Sequence, residues 1–389
     1  MSRKALKILI AHTAYRQRGG EDLAVQAEIE LLRSKGHEVI LMLRDNENIE
    51  RSNLRLLADT LWSRSSAADL RVLIAFHSPD LVHVHNTFPL LSPSIYWAAA
   101  SAKIPLVQTI HNFRLLCAQA MFLRQGRICE DCLGKLPWRG VLRKCYRNSV
   151  AHSAAIVSML ALHRALGSYR TKVTRYIALS DFSRRRLIEG GLPAERIRVK
   201  PNFVDVSPSA DQPRSGALFV GRLSEEKGLN LLMDALIANP KVHCEIVGDG
   251  PLRPMLANRQ QISARGWEGQ EQVYERMRKA AFLVLPSIGY EQFPRVLAEA
   301  FACSLPIIAP RQGSLKELVA HGQTGLLFEP GSAQDLAEKV KFAYEHAATL
   351  RAMGENARRE YENKYSPQKN YEQLMSIYSE TLSSAPAGA

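Results

Sequence analysis

The sequence predicts an α/β protein with two doubly wound domains, each organised around a parallel sheet. Short apolar runs alternate with helical patterns along most of the chain, which is typical of parallel strands covered by helices on both faces. The alternation restarts near residue 217. A chain of 389 residues usually forms more than one domain, each with its own hydrophobic core.

The first half contains apolar runs that we interpret as strands, with helical patterns between them. The chain opens with a basic head and a short apolar run, which favours a buried first strand over a signal peptide, so we expect a cytoplasmic protein. The strands are Lys7–Ala11, His37–Met42, Asp80–His85, Ile104–Ile110 and Arg175–Ser180, and the clearest helices are Asp22–Lys35 and Asp181–Glu189.

The second half repeats the pattern after a linker rich in Pro, Ser and Gly. The linker, 206–216, lacks apolar periodicity, and we expect it to act as a hinge. The tail is helical from Ala333, with a break at Ser366-Pro367, and 385–389 are expected to fray. The strands of this half are Ala217–Gly221, Val242–Gly248, Phe282–Pro286 and Pro306–Pro310.

These patterns define the domain boundaries. The first domain covers 1–205 and includes a basic, cysteine-containing insertion at 114–147. The second domain covers 217–366, and a C-terminal helix at 367–389 is expected to pack back on the first domain.

The net charge of +13 is concentrated in the first half. Residues 1–205 contain 31 Lys and Arg against 17 Asp and Glu, whereas the remainder contains 20 basic and 21 acidic residues. A basic half attracts nucleic acid, anionic lipid head groups or phosphorylated substrates. A basic surface without a specific partner remains the alternative. No run approaches the ~20 apolar residues that a membrane-spanning helix needs.

Several polar or glycine-containing segments follow predicted strands along the chain. Open parallel sheets bind ligands outside the carboxyl ends of their strands, so we expect these segments to line one cleft between the two domains. They are Gly19-Gly20, His111, Ser180, Gly221-Arg222, Gly248–Gly250 and Gly289–Glu291.

The segment Gly221–Gly228 is a candidate diphosphate site. Gly221 ends a strand, and Gly228 precedes the helical pattern that starts at Leu229. A helix amino terminus presents free N–H groups to phosphate, while Arg222 offers a planar fork of donors and Lys227 a point charge. A solvated turn with incidental charges is the alternative.

Two carboxylates eight positions apart, Glu291 and Glu299, suit ribose or sugar hydroxyls. Pro294 favours a helix start, which places Glu291 in the preceding loop and Glu299 nearly two turns into an apolar helix. An unpaired carboxylate there would be costly, so a helix-dipole charge for Glu291 and a core ion pair for Glu299 are the alternatives. Val247–Leu252 is not a dinucleotide fingerprint, because Arg253 occupies the position of its third glycine.

Taken together, these motifs resemble those of the GT-B glycosyltransferases of family 4, retaining enzymes that use nucleotide-activated sugars. The resemblance extends from Ile8 to about Tyr371. Gly19–Glu21 resembles the family's glycine loop, and Thr109–Asn112 resembles its acceptor-side histidine segment. Gly221–Gly228 and the two glutamates resemble its donor site.

The resemblance implies a role for each residue. Arg222 and Lys227 would neutralise the leaving diphosphate of a UDP- or GDP-sugar, Glu299 would bind the ribose, and Glu291 would bind the transferred hexose. His111 would hydrogen-bond the sugar, with a structural histidine as the alternative. Donor contacts would also come from Gly20 and Gly221, from the backbone N–H groups around Gln292 to Arg295, a stretch that contains Phe293 and Pro294, and from the base-contacting stretch that includes Arg265.

The same charges suggest a metal-independent reaction. Fixed cations that face the departing diphosphate lower the barrier, and the sequence contains no Asp-x-Asp motif for a divalent metal. No cofactor is therefore expected for catalysis. Retention of configuration is implied by the resemblance, with attack of the acceptor from the face that the diphosphate leaves.

Four of the six cysteines, Cys117, Cys129, Cys132 and Cys145, fall within the basic insertion. A cytoplasmic protein disfavours structural disulfides, and one Cys-x-x-Cys pair with two outlying thiols is compatible with structural zinc. Buried thiols without a metal and a redox pair are the alternatives. Cys244 and Cys303 are expected in the core.

The insertion and the helix after it suggest a contact with anionic membrane. Residues 114–147 contain eight Lys and Arg but two acidic residues, and residues 148–163 contain no Asp, Glu, Lys or Arg. Such a helix could lie on a bilayer beside the basic residues, or be buried in the first domain.

We therefore expect a hexosyltransferase that acts on a glycan or lipid-diphosphate-linked acceptor in cell-surface polysaccharide biosynthesis, peripheral to the inner face of the membrane. A transferase with a soluble acceptor is one alternative. A basic nucleic-acid-binding protein is another, but it lacks a recognition motif and leaves Glu291 and Glu299 unexplained, so no nucleic acid partner is expected.

Overall fold

The computed structural model describes residues 5–15, 19–45, 53–207 and 212–384, with the backbone alone for 53–55. They form two compact units. The first consists of the described residues of Met1–Met121, Glu130–Pro201 and Asn370–Ala389, and the second of Phe122–Cys129 and the described residues of Asn202–Lys369.

The strands are numbered in chain order. They are β1 (Lys7–Ala14), β2 (Glu38–Asp45), β3 (Leu81–Val84), β4 (Leu106–Ile110), β5 (Leu123–Arg124), β6 (Arg127–Ile128), β7 (Arg175–Ala178), β8 (Ile197–Val199), β9 (Ala217–Val220), β10 (Cys244–Val247), β11 (Ile262–Gly266), β12 (Phe282–Val284), β13 (Ile307–Pro310) and β14 (Gly325–Phe328).

The α-helices are numbered in the same way. They are α1 (Gly20–Ser34), α2 (Asn53–Trp62), α3 (Arg64–His77), α4 (Ser94–Ser101), α5 (Arg139–Leu142), α6 (Val150–Ala165), α7 (Ser168–Thr171), α8 (Asp181–Glu189), α9 (Leu229–Ile237), α10 (Gln270–Lys279), α11 (Arg295–Ala302), α12 (Leu315–Leu318), α13 (Ala333–Glu345), α14 (Ala347–Lys364) and α15 (Pro367–Ser383).

Each unit contains a six-stranded parallel sheet, so the predicted α/β class with two doubly wound domains is confirmed. The first sheet has the order β2-β1-β3-β4-β7-β8, and the second has the order β11-β10-β9-β12-β13-β14. The first strand of each sheet in chain order, β1 or β9, lies inside that sheet, so the strand order reverses beside β1 and beside β9. Ligands bind at such reversal points in open α/β sheets.

The strands that the sequence predicts are all present, but several others are not evident from it. β8 has three residues and β14 has four, and runs this short carry little periodicity. The helical tail is also interrupted at His346, which separates α13 from α14.

The basic insertion does not belong to the first unit as a whole, in contrast to the prediction for 114–147. The antiparallel hairpin of β5 and β6 groups with the second unit. There the Phe122 ring lies 6.2 Å from the Tyr290 ring, edge to face. The main stretch of the first unit ends at Pro201 rather than at 205. Of the predicted linker and frayed end, 208–211 and 385–389 lie outside the described residues.

The C-terminal helix α15 completes the core of the first unit. Its Leu374, Met375, Ile377 and Tyr378 are buried with Ile8 and other apolar residues of the β1 region. The hydroxyl of Tyr378 also hydrogen-bonds Nδ1 of buried His83 at 2.7 Å.

Candidate functional site

In the second unit, glycines allow the loops after β9 and β10 to approach other backbone segments closely. Gly228 has a φ of +71°, and a Cβ there would lie 1.9 Å from the carbonyl oxygen of Pro286. A Cβ on Gly248 would lie 1.9 Å from the carbonyl oxygen of Gly221. Only glycine fits these positions, and the loop Gly221–Gly228 is thereby held against the loop after β12.

Backbone hydrogen bonds join the same two loops. The carbonyl of Glu226 accepts from the N–H of Ile288 at 3.0 Å and from that of Gly289 at 3.4 Å. The two sequence motifs, separated by some seventy residues, therefore form one surface of the second unit.

Lys227 and Glu291 meet at this surface. Lys227 Nζ lies 2.7 Å from Glu291 Oε1, which also accepts from the hydroxyl of Ser287 at 2.8 Å. The Ser314 hydroxyl donates to the backbone carbonyl of Glu291 at 2.7 Å. The side chain and the backbone of Glu291 are thus both fixed, next to a partly exposed lysine.

Arg222 is held by an acid that the sequence analysis did not single out. Its guanidinium donates to Ser224 and pairs with Glu226, whose carboxylate also accepts from the Ser224 hydroxyl at 2.6 Å. Burial opposes ionisation of Glu226, but the hydrogen bonds from Arg222 and Ser224 outweigh it and hold its pKa below the ordinary value. The Arg222 side chain remains 58% exposed and available to an anion.

Glu299 forms the core ion pair that the sequence left as an alternative. Arg295 Nε lies 2.9 Å from Glu299 Oε1, one turn earlier in α11, and both side chains are almost fully buried. Burial raises the pKa of Glu299, and the charge of Arg295 opposes this shift. The ribose-binding role of Glu299 stays a prediction.

The first helix of the first unit starts at the predicted glycine loop. Gly20 is the first residue of α1, and the N–H of Gly19 donates to Asp22 Oδ2 at 2.9 Å. Asp22 Oδ1 in turn lies 3.0 Å from His12 Nε2. These bonds fix the path of the loop after β1.

His111, directly after β4, is half-buried and leads into a chain of buried polar groups. Its Nε2 lies 3.0 Å from Nδ1 of His85, and His85 Nε2 lies 3.4 Å from Glu28 Oε1. The other carboxylate oxygen of Glu28 pairs with Lys200 Nζ at 3.0 Å. Lys200 also donates to the side chain of Asn370 at 3.0 Å.

The electrostatics of this chain favour a neutral His111. Burial lowers the pKa of His111 well below its ordinary value, and burial together with His83 lowers that of His85 to about 3. Burial opposes ionisation of Glu28, but Lys200 and the histidines hold its pKa well below the ordinary range. Glu28 is therefore the anion of the chain, Lys200 its cation, and His111 an uncharged hydrogen-bonding group.

One group of three candidate metal ligands, Glu28, His83 and His85, has its ligand atoms within 4.8 Å of one another in the described part of the chain. The ammonium of Lys200 already supplies a positive charge to Glu28 there. We assign this group to the buried hydrogen-bond chain.

Comparisons with known proteins agree with this geometry. Residues 19–208 match the model of the family Glycosyltransferase Family 4, and residues 206–360 match the model Glycosyl transferases group 1. The two matches adjoin and together include the glycine loop, His111, Lys227 and both glutamates.

The chain belongs to glycosyltransferase family 4.

Individual relatives place this family 4 member in context. It is 35% identical over 169 residues to the uncharacterized glycosyltransferase MJ1178 of Methanocaldococcus jannaschii, a match that covers 42% of this chain and about half (47%) of that protein. It is 29% identical over 353 residues to a phosphatidyl-myo-inositol mannosyltransferase of Mycobacterium leprae, which covers 83% of each.

A solved structure shows the same architecture. The Anabaena protein HepE in complex with UDP superimposes with a TM-score of 0.66 at 21% identity, over 96% of this chain and all of that one. This likeness confirms the predicted GT-B fold of the family 4 chain.

The remaining donor-side predictions have specific positions in this family 4 structure. Phe293 is buried with its ring 5.2 Å from that of Tyr365, and Pro294 caps α11 rather than starting it. Arg265 lies in β11 and pairs with Glu245, so its side chain already has an acidic partner.

Gln292 is a candidate functional residue that the sequence analysis considered only for its backbone. Its side chain is 5% exposed, and neither amide atom has a hydrogen-bond partner within the described residues. A buried amide without a partner is costly, and it lies between Glu291 and Phe293 in the donor motif. The sequence marks this position only by its place in the motif.

The four cysteines of the insertion are all partly buried, and Cys244 and Cys303 are buried as predicted. Cys145 lies beside Gly140, and a Cβ at Gly140 would also touch Ala118, the neighbour of Cys117. Cys129 ends the hairpin that groups with the second unit, whereas Cys117, Cys132 and Cys145 belong to the first. The zinc site stays a prediction.

Proposed function

We propose that this family 4 chain is a retaining, metal-independent hexosyltransferase that uses a UDP- or GDP-hexose. The observation that carries the proposal is the 2.7 Å contact between Lys227 Nζ and Glu291 Oε1, which joins a cation suited to diphosphate with an acid suited to sugar hydroxyls. The solved relative in complex with UDP supports a nucleotide as the donor carrier.

The proposed mechanism follows from where charge develops. As the bond between the anomeric carbon and the diphosphate breaks, negative charge accumulates on the phosphate oxygens and positive charge on the sugar ring. Arg222 and Lys227 would stabilise the former, together with the backbone N–H groups at the start of α11. Because both cations are already held in place by Glu226 and Glu291, little reorganisation is needed.

His111 and Glu291 would orient the hexose. A neutral histidine can donate a hydrogen bond to a hydroxyl or accept one from it, without adding charge beside the developing oxocarbenium ion. Glu291 would accept from sugar hydroxyls, and Glu299 from the ribose. The acceptor hydroxyl would attack on the face that the diphosphate leaves, which retains the configuration.

We propose a glycan or lipid-diphosphate-linked acceptor of cell-surface polysaccharide biosynthesis, at the inner face of the cell membrane. The Mycobacterium leprae relative, by its name, transfers mannose to a phosphatidylinositol, which supports a lipid acceptor. Among the described residues, none of the helices is long and apolar enough to span a bilayer. A soluble acceptor is the alternative.

A surface of the first unit supports the membrane contact. Four apolar side chains around α5 are strongly exposed: Leu136 (51%), Trp138 (54%), Leu142 (71%) and Val150 (49%). Lys135, Lys144 and Arg147, which are close to them in the sequence, are exposed too. We call these seven residues the apolar–basic patch. Exposed apolar and basic side chains in one segment suit anionic lipid.

The helix α6 contributes only its first residue, Val150, to this patch. Its Ser153, Ile156, Met159, Leu160 and His163 are buried, and it packs against α2 and α5. One face of the uncharged stretch 148–163 is therefore buried in the first unit.

We also propose that Cys117, Cys129, Cys132 and Cys145 bind a structural zinc ion. Four partly buried thiols with one Cys-x-x-Cys pair suit tetrahedral zinc. Binding would require the thiols to move together, because no three of these described cysteines have their sulfur atoms within 4.8 Å of one another. Elemental analysis of purified protein tests this: about one zinc per chain is expected, and a loss of zinc in Cys132→Ser.

A donor screen tests the proposed function. Purified protein is mixed with UDP-, GDP- and ADP-hexoses, and the melting temperature and the release of nucleoside diphosphate in the presence of lipid-linked and soluble acceptors are measured. We expect one of the donors, at millimolar concentration, to raise the melting temperature clearly. We also expect transfer of its sugar to one of the two acceptor classes. No stabilisation and no transfer with any donor would contradict the proposal.

A further inference from the structure

Two arginines of the first unit contact the same tyrosine ring. The guanidinium carbon of Arg114 lies 4.8 Å from the centre of the Tyr146 ring, and that of Arg147 lies 5.4 Å from it. The Phe88 ring, also 4.8 Å from Arg114, packs edge to face on Tyr146. Contacts with aromatic rings therefore hold the two cations close to each other.

Neither arginine forms an ion pair within the described residues. Arg114 is partly buried and donates to the backbone carbonyl of Ala118, whereas the exposed side chain of Arg147 has no hydrogen bond to another described residue. Burial lowers the pKa of Arg114 below its ordinary value. A desolvated cation without an acidic partner is costly and two like charges repel each other, so an anion between them would stabilise both.

One carboxyl group, that of Glu21, influences Arg114 without neutralising it. It favours the charged form of Arg114 more weakly than Tyr146 does, and the two side chains form no ion pair in the described part of the chain. Burial raises the pKa of Glu21 to about 7, with His12 as the main opposing charge, so Glu21 is only partly ionised at neutral pH. Arg114 therefore retains positive charge for a ligand.

The backbone that carries the two arginines is fixed. The N–H of Arg114 donates to Asn112 Oδ1 at 3.0 Å, and the N–H of Tyr146 donates to Ser153 Oγ at 3.0 Å. Arg147 has a φ of +52°, in the left-handed region that residues other than glycine adopt rarely. Such conformations concentrate at sites that bind ligands, where the surrounding structure maintains them.

The position of the arginines suits an acceptor. Arg114 is three residues from His111, so their α-carbons are at most about 11 Å apart, and a phosphate at Arg114 would lie near a hydroxyl directed at His111. Arg147 belongs to the apolar–basic patch, which we propose contacts lipid. A diphosphate that joins a sugar to a lipid would extend from one to the other.

We propose that Arg114 and Arg147 bind the diphosphate group of the acceptor. This inference rests on the proposed function and specifies its acceptor as one that carries a diphosphate. A guanidinium group can donate two parallel hydrogen bonds to a phosphate, and two such groups match the two phosphates of a diphosphate. The arginines would position the acceptor and take no part in breaking the donor bond.

Calorimetric titration of inorganic pyrophosphate tests this site without turnover. Arg114→Gln and Arg147→Gln are each made in the Arg222→Ala/Lys227→Ala background, which lacks the cations of the proposed donor site. Because charged hydrogen bonds to phosphate are each worth about 10–100-fold in affinity, we expect both variants to bind pyrophosphate at least ~10-fold more weakly than the background. No binding by the background, or equal affinity of Arg147→Gln and the background, would overturn the inference.

Arg139→Gln in the same background is the matched control. Arg139 also lies over an aromatic ring of the insertion, that of Trp138, at 5.7 Å, and its replacement should leave pyrophosphate binding unchanged. Since Arg147 is exposed, Arg147→Gln should keep the melting temperature of the background and decides the test if Arg114→Gln does not fold. A repeat with farnesyl diphosphate identifies the source of the diphosphate: tighter binding than pyrophosphate supports a lipid-linked acceptor, and equal binding supports a soluble one.

Transfer assays separate this inference from the proposed function. In the otherwise wild-type chain, Arg114→Gln and Arg147→Gln should raise the KM for a diphosphate-linked acceptor at least ~10-fold, with kcat and the donor KM close to wild type. An unchanged acceptor KM, or transfer by wild type only to acceptors without phosphate, would overturn the inference and leave the hexosyltransferase intact. If wild type transfers no sugar to any acceptor, the proposed function fails, while the pyrophosphate titration still decides whether the site exists.

Discussion

At the residue scale, the proposed donor side includes a lysine, Lys227, whose contacts explain both its position and its partial exposure. Lys227 is fixed by Glu291 and is 30% exposed. It is the last residue of a 3₁₀ turn, Glu225–Lys227, and precedes Gly228, whose positive φ directs the chain into α9. Because of its position, charge and partial exposure, we expect its replacement to lower activity without lowering the stability of the fold.

We therefore expect Lys227→Ala to lower turnover by about 10²–10³-fold, because the variant loses the preorganised positive group that we propose faces the leaving diphosphate. Its melting temperature should remain close to that of wild type. Lys241→Ala, an exposed lysine of the same unit, is the control and should retain full activity. Turnover by Lys227→Ala equal to that of the control would remove Lys227 from the site.

Glu299 requires a different treatment, because the structure pairs it with Arg295 inside α11. Replacing it with alanine would leave a buried, uncompensated guanidinium, which typically costs about 3–5 kcal/mol. A loss of activity in that variant would therefore combine lost stability with any lost ribose contact. Arg222 and Lys227 offer cleaner tests of the donor site.

The buried Lys200–Glu28 pair gives a second residue-scale prediction. Lys200→Met leaves the Glu28 carboxylate buried without its cation and should lower the free energy of unfolding by about 3–5 kcal/mol in urea titrations. The double variant Lys200→Met/Glu28→Gln removes both charges, so it should be more stable than Lys200→Met alone. If the double variant is less stable than Lys200→Met, the negative charge of Glu28 is compensated by the histidines rather than by Lys200.

At the scale of elements, capping residues determine where the helices near the candidate site begin. Ser180 caps α8 by accepting from the N–H of Ser183, and Pro294 caps α11. Such local signals are present in the sequence, and the bounds predicted for Asp181–Glu189 are confirmed. By contrast, the hairpin of β5 and β6 has two residues in each strand, and neither periodicity nor composition indicates where it packs.

The apolar–basic patch should bind anionic membrane. We expect the protein to float with liposomes rich in phosphatidylglycerol at low salt, and a Trp138→Ala/Leu142→Ala variant to float much less, because it loses most of the exposed apolar surface. Phe76→Ala, which removes an 82% exposed aromatic residue of α3 outside the patch, is the control and should float like wild type. Equal flotation of all three, or none by wild type, would contradict the contact.

At the scale of the whole molecule, the sequence predicted the fold more fully than the site. Alternation of strands and helices predicted the two parallel sheets, which are confirmed, whereas His111, Lys227 and Glu291 were candidate residues implied by the family resemblance and stay predictions. Contacts between residues far apart in the chain were not predictable in this way. Glu226 as the partner of Arg222, Gln292 with its buried amide, and Lys200 against Glu28 across 172 positions follow only from the folded packing.

The C-terminal helix illustrates the same point. Its apolar residues indicate an amphipathic helix, but not which core it completes. In the structure α15 brings Tyr378 to His83 and Asn370 to Lys200, both within the first unit. The last elements of the chain thus support the buried network behind His111, a role that only the tertiary structure reveals.

Calorimetric titration of UDP and GDP into wild type and into Arg222→Ala/Lys227→Ala tests the central claim most directly. Charged hydrogen bonds to phosphate are each worth about 1.5–3 kcal/mol, so we predict that wild type binds one of the two nucleotides and that the double variant binds it at least ~10-fold more weakly. Equal affinity in both proteins, or no binding of either nucleotide by wild type, would contradict the assignment of this surface to a nucleotide-sugar diphosphate.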